Sequence, residues 1–197
     1  MLTNNLYGLV MAGGKSSRMQ TDKGELQYHA AISQRSFTYE LLSQFCEKTF
    51  ISCRQNQVAN LPVNQEYILD EDLYGGPANG ILSAFHHFPN KAFLVIAVDL
   101  PHISVQTIQQ LIEQRDPTKM ATAYALQGSD KPEPLIAIWE PAALALAEQQ
   151  VKAGINCPRK FLMTQDIKLI FPENDIELFN ANFYAEYLEA KNRIATS

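Results

Sequence analysis

Cysteine is scarce in this chain of 197 residues: Cys46, Cys53 and Cys157 stand far apart, odd in number and without a C-x-x-C pair. That scarcity argues against a disulfide framework and a zinc site, and the three are expected as reduced structural thiols. Long apolar runs are lacking too, since no stretch approaches the roughly 18 consecutive apolar residues of a membrane helix. The opening MLTNNLYGLV has neither the basic n-region nor the small-residue cleavage site of a signal peptide, which predicts a cytoplasmic protein without a membrane partner. Nor is there an excess of basic residues. The net charge is -5, whereas a nonspecific nucleic-acid binder normally carries a basic surface, so no nucleic acid is expected as partner. No repeat, low-complexity tract or linker interrupts the chain, and its 46% apolar content is material for a core, so residues 1–197 are expected as a single domain.

What is present is alternation. Apolar runs bounded by turn residues predict strands over 6–11, 49–53, 66–70, 92–98, 120–126, 133–139 and 166–171. Helical periodicity predicts helices over 37–48, 76–88, 105–114, 141–154 and 182–193. AFLVIAV, apolar on both faces, belongs in the middle of a mostly parallel sheet with helices on each side, a Rossmann-like three-layer α/β/α fold. Such sheets bind ligands beyond the carboxyl ends of their strands, which directs attention to the loops after Met11 and Val98. Phe37, Leu41, Leu42 and Phe45 recur at helical spacing and read as core.

The loop after the first strand is GLVMAGGKSSRMQTDKGEL, residues 8–26, with Lys15, Arg18 and Lys23 against Asp22. Gly13 and Gly14 allow backbone N–H groups to approach an anion closely. "GKS" at 14–16 imitates a P-loop, but that motif needs a glycine where Leu9 stands, and G-x-G-x-x-G is absent. Composition leaves two readings open: a phosphate cradle whose Arg18 and Lys23 neutralise a polyphosphate, or a glycine turn with solvated basic residues. Asp99, just past the most apolar strand and followed by Pro101, could help hold Mg2+, which takes one or two carboxylates plus substrate phosphates. The competing role is a helix cap near residue 104, for which Ser104 is the better residue. His86 and His87 lack a ligand-bearing partner one turn along and are assigned no metal, and His29 and His102 carry no chemical signal.

The spacing G-G-K-S-S-R-M-Q-T-D-K resembles the signature loop of the molybdenum cofactor guanylyltransferases within the MobA-like nucleotidyltransferases, G-G-x-S-x-R-M-G-x-D-K. Gly13, Gly14, Ser16, Arg18, Met19, Asp22 and Lys23 match in register, and Gln20 replaces a glycine. Further along, D-x-P at Asp99, the acidic stretch from Asp70 into G-P-A-N-G-I, E-P-L at Glu133 and N-A-N at Asn180–Asn182 are similar to family segments, with Phe183 and Tyr184 where the family has Thr-Pro. The resemblance implies a nucleotidyltransferase fold. It also implies transfer of GMP from GTP to the terminal phosphate of molybdenum-molybdopterin, giving a guanine dinucleotide cofactor and pyrophosphate. Met11, Ala12, Gly13, Gly14, Lys23, Arg54, Asp70 and Asp99 would bind the nucleotide; Arg18, Lys23 and Asp99 would be catalytic, with Asp99 on Mg2+. Glu133, Asn180 and Asn182 would meet the acceptor, and cofactor-insertion chaperones or molybdoenzymes are candidate onward partners; Arg159, read from its charge and not from the resemblance, is either an acceptor-phosphate contact or a solvated helix start. Two alternatives stay open: a nucleotidyltransferase using CTP or another small phosphorylated acceptor, and an inactive nucleotide-binding regulator.

Overall fold

A computed structural model describes residues 3–14, 22–29 and 31–196. Seven strands among them form one sheet: β1 Thr3–Met11, β2 Cys46–Cys53, β3 Tyr67–Leu69, β4 Ala92–Ala97, β5 Ala121–Tyr124, β6 Ile136–Trp139 and β7 Lys168–Ile170. Their order across the sheet is β3-β2-β1-β4-β6-β5-β7. β1 pairs in parallel with both β2 and β4, so the chain builds outward first on one side of β1 and then on the other. The crevice where that order reverses lies between the carboxyl ends of β1 and β4, where open α/β sheets take their ligands. Every residue of β4 is buried, as a strand covered on both faces requires. Phe93 and Val95 point to one face and Leu94 and Ile96 to the other, each such side chain contributing roughly 1.5–3 kcal/mol on burial.

Helices cover both faces. α1 (Gln34–Ser43) and α3 (Val105–Glu113) bury Leu41, Leu42, Ile108 and Leu111 against one. α2 (Pro77–His87), α4 (Pro141–Lys152) and α5 (Pro158–Leu162) bury Ile81, Leu82, Leu144 and Phe161 against the other. α6 (Tyr184–Ala195) closes a small satellite cluster through Ala190, with Tyr28 and Ala181. Ser104 does cap α3: its Oγ accepts from Thr107 N–H at 3.2 Å, leaving Asp99 free of that duty. Burial pushes the Cys46 thiol up to about 12 and Cys53 to about 11, so both are inert core residues.

Three features depart from the sequence expectation. The first helix begins at Gln34, capped by Ser33, and residues from Cys46 onward are strand, because pairing of β2 along β1 outweighs the helical period of 37–48. A register shift in that pairing is absorbed near Asn5, whose φ of 68° is a conformation asparagine tolerates. β6 runs antiparallel to both neighbours, since residues 125–135 return as a wide hairpin without a crossover helix. α5 is a short helix started by Pro158 that periodicity over so few residues does not reveal.

Candidate active site

β1 delivers the glycine loop to the switch point. The ladders run one step past the strand, with Ala12 N–H donating to Ser52 O (3.0 Å) and Val98 N–H to Met11 O (3.4 Å). Gly13 and Gly14 then leave the sheet. Ser16, Arg18, Met19 and Gln20 lie outside the described residues. At the far end of the loop Asp22 caps a 3-10 turn, Lys23–Glu25, accepting from Gly24 N–H at 2.9 Å.

A buried glutamine ties the two ends together. Gln57 Nε2 donates to Ala12 O (3.0 Å) and to Asp22 Oδ2 (2.8 Å), while its Oε1 accepts from Arg54 N–H (3.0 Å). Beneath them Arg35, only 1% exposed, pairs with Glu25 and with Asp22 (3.6 Å) and donates to Asn60 O (3.2 Å). Asp22 is thus engaged in shaping the loop. No spacing rule marks Gln57 or Arg35, since both act through partners remote in sequence.

The turn presents Lys23. Its ammonium donates to Asp99 Oδ2 at 3.2 Å and to Asn182 Oδ1 at 2.7 Å, joining the first loop, the end of β4 and the chain before α6. The last connection is fixed by Ala181 N–H on Asp99 O (2.8 Å) and by Glu186, whose carboxylate accepts from Asn182 N–H (2.6 Å) and Phe183 N–H (3.0 Å). Asp99 Oδ1 is buried and has no hydrogen-bond partner among the described residues. An orphaned carboxylate oxygen is a costly feature unless a donor or cation meets it, and a hard oxygen ligand suits Mg2+.

Asp70 forms a second focus. Its Oδ1 accepts from Ser52 Oγ at 2.6 Å and its N–H donates to Cys53 O at 2.8 Å. Gly13 and Gly80 flank it: a Cβ on Gly13 would collide with Asp70 Oδ2, and one on Gly80 would collide with Ser52 Oγ and come within 2.8 Å of Met11 Cε. Here the glycine makes room for a carboxylate of the protein itself. Burial raises the Asp70 pKa, Ser52 and Arg54 oppose the rise, and Asp72 adds to it.

A cleft of about 700 Å³ opens over these groups. Met11, Ala12, Gly13 and Gly14 form its floor, and Lys23, Arg54, Asp70, Asp99 and Asn182 contribute to its walls. The remaining sequence candidates fall elsewhere. Asn180 Nδ2 donates to Leu178 O (3.1 Å), and Glu133 pairs with Arg159 at 2.6 Å; none of the three lines the cleft. Wall residues not named as site candidates from the sequence include Tyr74, Gly75 and Asn79, which lie between Asp70 and Gly80 in the stretch similar to a family segment. No group of three or more His, Cys, Asp or Glu side chains suited to a metal occurs among the described residues. No helix among them is long and apolar enough to cross a membrane.

Comparison with known proteins agrees with this geometry. The family model of the MobA-like NTP transferase domain matches residues 8–167. A molybdenum cofactor biosynthesis bifunctional protein of Synechocystis is 36% identical over 183 residues, 92% of this chain, and the chain spans 52% of that relative's length. A molybdenum cofactor guanylyltransferase of Pseudomonas fluorescens is 26% identical over 95% of this chain and 94% of its own. The crystal structure of molybdopterin-guanine dinucleotide biosynthesis protein A from Archaeoglobus fulgidus shares the fold, with a TM-score of 0.80 at 22% identity, covering 97% of this chain and 100% of that one. With most of its length matched by the family model and its glycine loop, Lys23 and Asp99 meeting at one cleft, the chain belongs to the MobA-like NTP transferase family.

Proposed function

We propose that this protein transfers GMP from GTP to the terminal phosphate of molybdenum-molybdopterin, releasing pyrophosphate. The observation that carries the reading is Lys23, held between Asp99 and Asn182 on the wall of a cleft at the sheet's switch point. The names of the relatives supply the acceptor and the base. An acceptor phosphate oxygen would bond to the α-phosphorus of GTP while the bond from that phosphorus to the β-bridging oxygen breaks, its electron pair leaving with pyrophosphate. A phosphate nucleophile is already largely ionised at neutral pH, so no protein base is required. Catalysis would rest on alignment and charge neutralisation.

Each residue then has a task. Lys23 exchanges Asp99 for a phosphate oxygen when nucleotide arrives, with Asn182 keeping the ammonium in place, and Arg18 from the same loop adds a second cation. Asp99 would hold Mg2+, which when bound offsets charge on the triphosphate. Asp99 Oδ1, buried and without a hydrogen-bond partner among the described residues, favours that assignment. Gly13 and Gly14 would let the loop backbone approach the phosphates, and Asp70 would contact the nucleotide.

Pyrophosphate release, measured across the four nucleoside triphosphates with and without molybdenum-molybdopterin, tests the proposal. Release is expected with GTP only when acceptor is present. Asp99→Asn should lower turnover by about 100-fold or more, the scale of losing one preorganised electrostatic group, with the fold intact. Full activity in that variant would remove Asp99 from the mechanism, and release with CTP alone would overturn the choice of base.

A further inference from the structure

One side of the cleft is an acidic lip, residues 70–76, that joins β3 to α2. Asp70, Asp72, Tyr74 and Gly75 face the cleft from it. Its backbone is irregular, with φ of 54° at Asp72 and 64° at Gly76, and no strand ladder or helix runs through it. Beyond Asp70, which β2 holds through Ser52 and Cys53, its placement depends on a few ties to α2. Glu71 N–H donates to Ser83 Oγ (3.0 Å) and Tyr74 N–H to Asn79 Oδ1 (3.1 Å).

The third tie crosses to another helix. His86 Nδ1 lies 2.5 Å from Glu71 Oε2, and its Nε2 lies 3.0 Å from Glu148 Oε1 on α4. A neutral imidazole carries one N–H and can serve one carboxylate; serving two requires the imidazolium. Lys152 also reaches Glu148, at 2.7 Å. The groups facing His86 are thus Glu71 and Tyr74 from the lip and Glu148 with its partner Lys152 from α4, while neighbouring His87 turns its Nδ1 to Ser83 O (2.9 Å).

We propose that His86, as an imidazolium shared by Glu71 and Glu148, is a positioning residue that fastens the 70–76 lip to α4 and makes nucleotide affinity fall as the ring loses its proton. The link to nucleotide rests on the function proposed above. Deprotonation acts twice in the same direction. One carboxylate loses its donor, so the lip is less ordered, and where that carboxylate is Glu71 it adds an unpaired negative charge beside Asp70 and Asp72, where a polyphosphate must pass. Partial burial pulls the His86 pKa down, hydrogen bonds to Glu71 and Glu148 push it up, and the net direction is up. The clamp is therefore complete below the ordinary histidine range and is lost as pH rises through the raised value.

Two measurements on the full chain test this. Backbone hydrogen exchange over residues 70–76, without ligand, should be faster in His86→Phe than in wild type at pH 6, and in the wild type its protection relative to intrinsic exchange should fall towards pH 8.5. Calorimetric binding of GTP should be weaker in His86→Phe by about three- to tenfold at pH 6, the range one ordinary hydrogen bond supplies, and the gap should narrow towards pH 8.5, where the neutral ring keeps a single tie. Glu148→Gln, on the far helix and outside the cleft, should shift both readouts the same way. Exchange unaltered by His86→Phe and Glu148→Gln overturns the clamp. Faster exchange with identical GTP affinity at every pH overturns its link to nucleotide. A wild type that binds no nucleotide at all overturns the proposed function instead, and exchange still decides the clamp.

Discussion

Gly13 and Gly14 are adjacent, share one motif and differ completely in what surrounds them. Among the described residues a Cβ at Gly14 meets no atom within 4 Å, whereas one at Gly13 falls on the Asp70 carboxylate. Neither glycine has a positive φ, so the cost of Gly13→Ala is steric. Forcing a methyl into a filled site costs about 1–3 kcal/mol. Displacing Asp70 also breaks the 2.6 Å bond from Ser52 Oγ, a bond to a charged group worth about 1.5–3 kcal/mol. Because the shift relieves part of the overlap, the two do not add fully, and roughly 2–4 kcal/mol is expected. That corresponds to a Tm lower by roughly 5–15 °C in a domain of this size. Gly14→Ala should be neutral or gain a few tenths of a kcal/mol, through a less flexible unfolded chain. Urea and thermal unfolding of both variants, repeated in an Asp70→Ala background, completes a double-mutant cycle. There the cost of Gly13→Ala should drop below about 1 kcal/mol. Equal stability of the two single variants, or a Gly13→Ala cost that persists without Asp70, would refute the steric account of the motif.

Three further outcomes follow from particular contacts. Asn182→Ala removes the 2.7 Å acceptor of Lys23 and should raise the KM for GTP about 10- to 100-fold, near the worth of one hydrogen bond to a charged group; steady-state pyrophosphate release with an unchanged KM would contradict the role given to Asn182. Asp70 is raised chiefly by burial, so its folded form binds a proton more readily than its unfolded form and the protein loses stability as pH rises from the ordinary aspartate range through the raised value. Asp70→Asn should therefore be more stable than wild type at neutral pH, with the difference vanishing in acid, as urea denaturation at the two pH values would show. Arg115 meets Glu140 through two bonds, 2.7 and 2.9 Å, with side chains only 12% and 7% exposed. Arg115→Ala strands that carboxylate and should cost about 3–5 kcal/mol, whereas loss under 1 kcal/mol in chemical denaturation would show that Glu140 finds another partner.

The seven strands were legible because each is a short apolar run between turn residues, and β4 in particular because an unbroken apolar run of strand length fits a position buried on both faces of a sheet. Where local pattern and long-range pairing disagreed, pairing prevailed: Cys46–Lys48 continue a helical period yet lie in β2. The candidate site divides in the same way. Lys23, Asp70 and Asp99, which sit at strand ends or inside a spaced motif, line the cleft. Glu133 and Arg159, whose sequence signal fitted a surface charge as well as an acceptor contact, pair with each other and do not line the cleft.

By itself the chain's residue order determined the alternation of elements, the parallel character of the sheet and the loops where chemistry could gather, since these depend on periodicity and on glycine and proline placement. Only the tertiary structure decided that Gln57 and Arg35 lock the glycine loop, that Gly13 yields space to Asp70, and that His86 stands between two carboxylates. Such contacts join residues ten or more positions apart, and a hydrogen bond or a steric overlap depends on distances in space that spacing along a chain does not encode.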